Sequence, residues 1–147
     1  MTERPQPILP PNADARADGE SAHKSLGGPR RLINALRYSY NGLREAIRVE
    51  AAFRQELMLL AVLLPAALWL PVTLTERALL IGVLFIVLIV EILNSALEAV
   101  VDRISLAQHD LSRRAKDFGS AAVFLALTLT AIVWGLIAVP AALRAFA

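Results

Sequence analysis

The apolar run at residues 57–74 constrains the fold of this chain more than any other feature of its sequence. It contains no charged side chain, and Thr73 is its only polar one. At about 1.5 Å per residue, a helix of this length just crosses a hydrocarbon layer of about 30 Å. Two further apolar segments occupy residues 78–101 and 121–143. The sequence therefore predicts an all-α integral membrane protein with three transmembrane helices.

The residues before the first span divide into two parts. Residues 1–29 hold five of the eight prolines and few apolar side chains, so we expect a disordered tail. Residues 30–55 place arginines on one face of a helix and leucine, isoleucine and tyrosine on the other, which is typical of a helix lying in a membrane interface. The alternative is a water-soluble amphipathic helix packed on a globular core. Together with the spans, residues 30–147 form one predicted membrane domain.

Basic side chains flank the spans unequally, and this predicts the orientation of the chain. Six arginines lie between residues 30 and 54, and four basic residues lie in a polar connection at residues 102–120. The short turn at residues 75–77 has only Arg77, and the C-terminal end has only Arg144. The positive-inside rule therefore predicts that the N-terminus and the connection between the second and third spans are cytoplasmic. The formal charge of +2, without basic runs interleaved with aromatics, argues against a nucleic-acid partner.

Polar side chains interrupt the second apolar segment and share one helical stripe. Glu91, Asn94, Glu98 and Asp102 follow one another at spacings of three, four and four residues. A charged side chain at the centre of a bilayer costs about 2.5–3.5 kcal/mol, so two acids on one stripe require a counter-charge, a metal or a proton. The stripe is therefore a candidate functional site. The alternative is a structural role, in which these side chains join helices in an oligomer.

Charged residues near the predicted cytoplasmic ends of the spans suit a phosphate site. Two carboxylates from different helices, together with phosphate oxygens, suit Mg²⁺, and Glu50 lies in this zone. Arg31, Arg54 and Lys116 are suited to neutralise phosphoryl oxygens, although interfacial cations also serve as anchors for lipid headgroups. The sequence has no P-loop, no GxGxxG loop and no HExxH motif. Any nucleotide must therefore be held by another arrangement.

Four blocks of the sequence resemble the prokaryotic diacylglycerol kinase family. They are YSYNGLR at residues 38–44, EAAFRQE at 50–56, EILNSALEAVVDR at 91–103 and RAKDFGSAAV at 114–123. The resemblance covers roughly residues 31–139 and implies a homotrimer in the bacterial inner membrane, with active sites between subunits at the cytoplasmic boundary. It further implies that the protein uses ATP and Mg²⁺ to phosphorylate diacylglycerol to phosphatidic acid, which returns this lipid to phospholipid synthesis.

The same resemblance implies roles for individual residues. Glu91 would be the catalytic base, Asn94 would support the catalytic centre, and Glu50 and Glu98 would be the metal ligands. The implied nucleotide contacts are Arg31, Tyr38, Glu50, Glu98, His109, Lys116 and Asp117. The implied contacts of the lipid substrate are Arg31, Tyr40, Arg54, Glu56, Trp69, Glu91 and Ser120.

Three other functions compete with this interpretation. An undecaprenol kinase of the same superfamily would differ in its lipid substrate. A non-catalytic trimeric membrane scaffold would use its acids only to fix helix pairing, and it would have no affinity for Mg-ATP. A proton channel ranks below both, because residues 78–90 contain no ionisable side chain and so offer no continuous polar stripe.

Overall fold

The computed structural model describes residues 29–104 and 109–146, and these residues form four α-helices and no strand. The helices are α1 (Pro29–Val49), α2 (Ala51–Trp69), α3 (Leu74–Ile104) and α4 (Asp110–Phe146). Helices α2, α3 and α4 are each long and apolar enough to cross a membrane. The predicted all-α fold with three membrane spans is therefore confirmed. The tail predicted over residues 1–29 lies outside the described residues, except for Pro29.

Large apolar side chains cover much of the outer surface of α2, α3 and α4. Val62, Phe124 and Leu136, for example, are 70%, 68% and 73% exposed. A water-soluble monomer rarely exposes contiguous apolar surface on this scale. Lipid chains solvate such a surface without penalty, so the surface suits a membrane and does not suit water.

A break at Glu50 separates α1 from α2, although the sequence predicted one helix over residues 30–55. Glu50 has an extended backbone (φ −91°, ψ 115°), and its side chain makes no capping hydrogen bond. The guanidinium group of Arg54 donates to Ile47 O and Arg48 O, both at 3.2 Å. It thereby satisfies carbonyls that the end of α1 leaves without a helical partner. The amphipathic helix therefore ends before the first span begins.

The first span ends at Trp69, before the predicted limit at residue 74. Pro71 has no N–H and cannot continue the helix, and it restricts the residue before it to extended conformations. Leu70 accordingly has φ −60° and ψ 140°, and its N–H donates to Ala66 O at 3.0 Å. The turn between the first two spans thus lies at residues 70–73 and not at residues 75–77.

Thr73 and Glu76 start α3 with a capping box. Thr73 Oγ1 accepts from the N–H of Glu76 at 3.3 Å, and Glu76 Oε2 accepts from the N–H of Thr73 at 2.8 Å. Arg77 donates through Nε to Ala67 O at 3.2 Å and through a terminal nitrogen to Leu70 O at 3.1 Å. This side chain therefore joins the first turn of α3 to the last turn of α2.

Helices α3 and α4 pack against each other in antiparallel orientation. Trp134 Nε1 donates to Leu80 O at 3.2 Å, and the buried Thr130 Oγ1 lies 2.9 Å from Ala126 O and 3.3 Å from Val83 O. Polar contacts of this kind between membrane helices fix their register. The apolar core of the described residues consists of Phe53, Ala67, Leu80, Val83, Leu84, Val87, Leu88, Ala126 and Ala141.

The polar connection predicted at residues 102–120 is helical wherever the structure describes it except at His109. Helix α3 continues to Ile104, and α4 begins at Asp110. His109 Nδ1 accepts from the N–H of Leu111 at 3.2 Å, as the side chain of an N-cap does. An acid in the first turn, Asp110, also favours the positive end of the helix dipole. The polar start of α4 is therefore continuous with the third span.

Candidate active site

A cavity of about 380 Å³ opens where the start of α2 meets α3 and α4. Five of the residues predicted for the site line it, and they come from the break before α2, from α3 and from α4. The cavity combines these polar groups with apolar side chains of α4, as a site for an amphipathic substrate requires. The lining residues are Glu50, Ala52, Glu91, Asn94, Ser95, Glu98, Ser120, Val123, Phe124 and Leu127.

Acids dominate the chemistry of this cavity, and Glu56, which is outside its lining, lies close enough to interact with Glu91. Glu91 and Glu56 are 4% and 8% exposed, and like-charge repulsion acts on Glu91 from Glu50 and Glu98 and on Glu56 from Glu91. Glu56 Oε2 has no hydrogen-bond partner within the described part of the chain. Like charges in surroundings of low dielectric constant repel strongly. The cluster therefore requires a cation or a bound proton to be stable.

Asn94 forms a hydrogen bond to another member of the polar stripe on α3. Its Nδ2 donates to Glu98 Oε1 at 3.2 Å, which fixes one oxygen of that carboxylate. Its Oδ1 is buried, and no hydrogen-bond donor among the described residues reaches it. Asn94 therefore orients Glu98 within the cavity, and the role in the catalytic centre that the family resemblance implies for Asn94 stays a prediction.

Lys116 lies beside the acid cluster through a contact that sequence analysis missed. Its Nζ is 2.7 Å from Asp102 Oδ1, and the negative charge of Glu98 also acts on it. Asp102 is one helical turn beyond Glu98, so the two acids and Lys116 share one side of the α3–α4 contact. The polar stripe on α3 included Asp102, but only the packing of α4 shows which cation it binds.

The structure places other predicted site residues away from the cavity. Trp69 lies at the far end of α2 from Glu50, about 28 Å along the helix. Asp117 forms an ion pair at 3.0 Å with Arg113, and both side chains are more than half exposed. Neither residue lines the cavity within this chain.

Two further predicted site residues make bonds to the backbone. Arg54 donates to the last carbonyls of α1, and His109 caps α4. Arg31, Tyr38 and Tyr40 lie on the exposed surface of α1, and their roles in binding stay predictions.

The carboxylates of the cavity fit Mg²⁺ that is bound together with a nucleotide. Among the described residues, no group of three or more acids or histidines forms a ready metal site. Mg²⁺ is usually held by one or two carboxylates, and substrate phosphates and water complete its shell. Glu50, at the break before α2, and Glu98, on α3, line one cavity and match that donor set. They fit a cation that arrives with a nucleotide, and they do not fit a metal held by protein ligands alone.

The fold and the cavity define the class of this protein: a three-span α-helical membrane protein with an acid-lined cavity at the end of its spans. Residues 37–138 match the family model described as prokaryotic diacylglycerol kinase. Proteins named diacylglycerol kinase are similar over most of their length. That of Pseudomonas aeruginosa is 52% identical over 117 residues, covering 80% of this chain and 95% of the relative. That of Escherichia coli K12 is 53% identical over 104 residues, covering 71% and 85%, and that of Haemophilus influenzae is 49% identical over 104 residues, covering 71% and 88%.

The chain therefore belongs to the prokaryotic diacylglycerol kinase family. This confirms the family that the four sequence blocks predicted. Membership makes the protein an enzyme, a kinase of lipid metabolism located in a membrane.

Proposed function

We propose that this protein transfers the terminal phosphoryl group of ATP to the hydroxyl group of diacylglycerol and so produces phosphatidic acid. The observation that carries the proposal is that Glu50, Glu91 and Glu98 line one common cavity near the ends of membrane-spanning helices. Such a position gives access both to a water-soluble nucleotide and to a lipid. The names of the relatives supply the lipid class.

The depth of the acids supports a division of labour between them. Glu91 and Glu98 are seven residues apart on α3, which corresponds to about 10 Å along the helix. Glu98 lies nearer the polar end of α3, and Glu91 lies nearer the middle of the apolar segment. A lipid hydroxyl group that enters from the membrane would therefore reach Glu91, while the nucleotide would reach Glu98 from the water side.

Phosphoryl transfer depends mainly on positioning and on charge neutralisation. Mg²⁺ bound with ATP would neutralise phosphate charge, and Glu50 and Glu98 would hold it. Glu91 would accept the proton of the lipid hydroxyl as its oxygen bonds to the terminal phosphorus and the bond to ADP breaks. Lys116 would balance the negative charge of the transferred group.

The proposal extends to the location and the assembly of the protein. The excess of arginine before the first span supports a cytoplasmic N-terminus and a cytoplasmic α3–α4 connection in a bacterial inner membrane. The open cavity supports an assembly in which neighbouring copies complete each site, and the family resemblance implies that this assembly is a homotrimer.

A lipid-comparison assay tests the proposal. The purified protein, in mixed micelles with ATP labelled on its terminal phosphate, is offered diacylglycerol or undecaprenol, with and without Mg²⁺. We expect labelled phosphatidic acid only in the presence of Mg²⁺ and little labelling of undecaprenol. Preferential labelling of undecaprenol would identify the other kinase activity. Labelling of neither lipid would favour a scaffold.

A further inference from the structure

Gly119 is the one described glycine at which a side chain would collide with the rest of the protein. A Cβ atom on Gly119 would overlap Asn94 Oδ1 and would lie 3.2 Å from Asn94 Cγ. At the other described glycines, Gly42, Gly82 and Gly135, a Cβ would have no neighbour within 4 Å. Glycine in the interior of a helix is unfavourable by about 1 kcal/mol relative to alanine, so close packing is the physical reason for its use here.

Hydrogen-bond chemistry fixes the orientation of the Asn94 amide. An ionised carboxylate only accepts hydrogen bonds, so the amide nitrogen must face Glu98, and the oxygen must face Gly119. The oxygen then lies against the Cα of Gly119, as in the weak C–H···O contacts that recur where helices pack closely. The amide is thus held between a carboxylate on one side and the backbone of α4 on the other.

Contacts on both sides of Gly119 restrict the distance between α3 and α4. Lys116, one turn earlier, binds Asp102 at 2.7 Å. Thr130, three turns later, lies 3.3 Å from Val83 O. Because these contacts resist separation of the two helices, a methyl group on Gly119 must displace the Asn94 amide. Displacement of the amide breaks its bond to Glu98.

We propose that Gly119 is a positioning residue for Glu98 and acts through Asn94. The missing side chain at position 119 leaves space for the amide that fixes Glu98 Oε1. The inference rests on the proposed function in one respect, since it takes Glu98 as a ligand of the cation that accompanies the nucleotide.

The effect of Gly119 on Glu98 can be measured as a change in cation affinity, without catalytic turnover. Mn²⁺ is titrated into the purified protein with a non-hydrolysable ATP analogue, and free Mn²⁺ is followed by electron paramagnetic resonance. We expect Gly119→Ala to raise the Kd for Mn²⁺ about tenfold, the lower end of the loss seen when the partner of a metal ligand is removed. Gly135→Ala, the matched control on the same helix, should bind as wild type does. Equal affinities for Gly119→Ala and wild type would overturn the proposal.

A double-variant cycle shows whether Gly119 acts through Asn94. Asn94→Ala removes the bond to Glu98. It also removes the atoms that a methyl group at position 119 would overlap, and the next neighbour, Leu97 Cδ2 at 3.7 Å, is at ordinary contact distance. The double variant should therefore fold and bind Mn²⁺ as Asn94→Ala does, even if Gly119→Ala alone fails to fold. Multiplied losses, or a double variant that does not fold, would contradict the proposal. The result is independent of lipid phosphorylation, so a protein that bound Mn²⁺ as expected but labelled no diacylglycerol would refute only the proposed function.

Discussion

Lys116 owes its position to residues on another helix. Its Nζ binds Asp102 Oδ1 at 2.7 Å, and the negative charge of Glu98 also acts on it. The other members of the acid cluster are Glu50, Glu56 and Glu91. One positive charge thus faces several negative ones at the edge of the cavity. If a phosphoryl group entered the cavity, its oxygens would replace the carboxylates as the hydrogen-bond partners of the Lys116 ammonium group.

Replacement of Lys116 by methionine tests this role, because it removes the charge and keeps much of the length of the side chain. Loss of one preorganised donor to a developing charge lowers kcat by about 100-fold or more. We expect that loss for Lys116→Met with labelled ATP and diacylglycerol. The matched control is Arg114→Met, on the exposed surface of α4 and outside the cavity lining. Similar rates for the two variants would contradict the role of Lys116.

The sequence predicts the members of the acid stripe but not all of their partners. A charged residue in an apolar segment can be recognised from the sequence alone, and helical spacing puts Glu91, Asn94 and Glu98 on one face. Partners such as Asp102 for Lys116, or Gly119 for Asn94, depend on the register of α3 against α4. That register is fixed by contacts of Thr130 and Trp134 far along the chain, so spacing within one helix does not reveal it.

At the scale of elements, the spans follow from composition, while their ends follow from local chemistry. The apolar segments correctly predicted three long helices. The boundary between α2 and α3 lies earlier in the sequence than predicted, because Pro71 stops the first helix and the capping box of Thr73 and Glu76 begins the next. The signal for that start, a threonine three residues before a glutamate, is present in the sequence, but the apolar pattern assigned Thr73 to the first span and Glu76 to the turn that follows it.

Arg77 should contribute measurably to the stability of this helical hairpin. Its guanidinium group donates to Ala67 O and Leu70 O in a partly buried setting, and hydrogen bonds to charged groups contribute about 1.5–3 kcal/mol each. We expect Arg77→Met to lower the free energy of unfolding in detergent by about 3 kcal/mol, the lower limit for two such bonds. Arg103→Met is the control, since Arg103 is exposed in the last turn of the same helix, far from the hairpin. If both variants unfold alike, the guanidinium contacts do not stabilise the hairpin.

At the scale of the whole molecule, the helices place charged chemistry at the edge of an apolar body. Glu91 is buried between helices whose outer surfaces carry exposed leucine, valine and phenylalanine, while Glu50 and Lys116 lie close to where the polar segments begin. On the proposed function, a lipid hydroxyl group would meet a nucleotide there, with the lipid chains still in the membrane and the nucleotide still in contact with water. On the proposed function no P-loop would be needed, because Lys116 and a Mg²⁺ ion held by the carboxylates would neutralise the phosphate charge in its place.

The most direct test of this account is the rate of phosphatidic acid formation by Glu91→Gln. The amide keeps the size of the side chain but cannot accept the proton of the lipid hydroxyl, so the account predicts a loss of about 10²–10⁴-fold in kcat with Mn²⁺ affinity unchanged. Glu45→Gln, an exposed glutamate on α1, should turn over as wild type does. Turnover by Glu91→Gln at the rate of wild type would contradict the claim that lipid and nucleotide react at this acid.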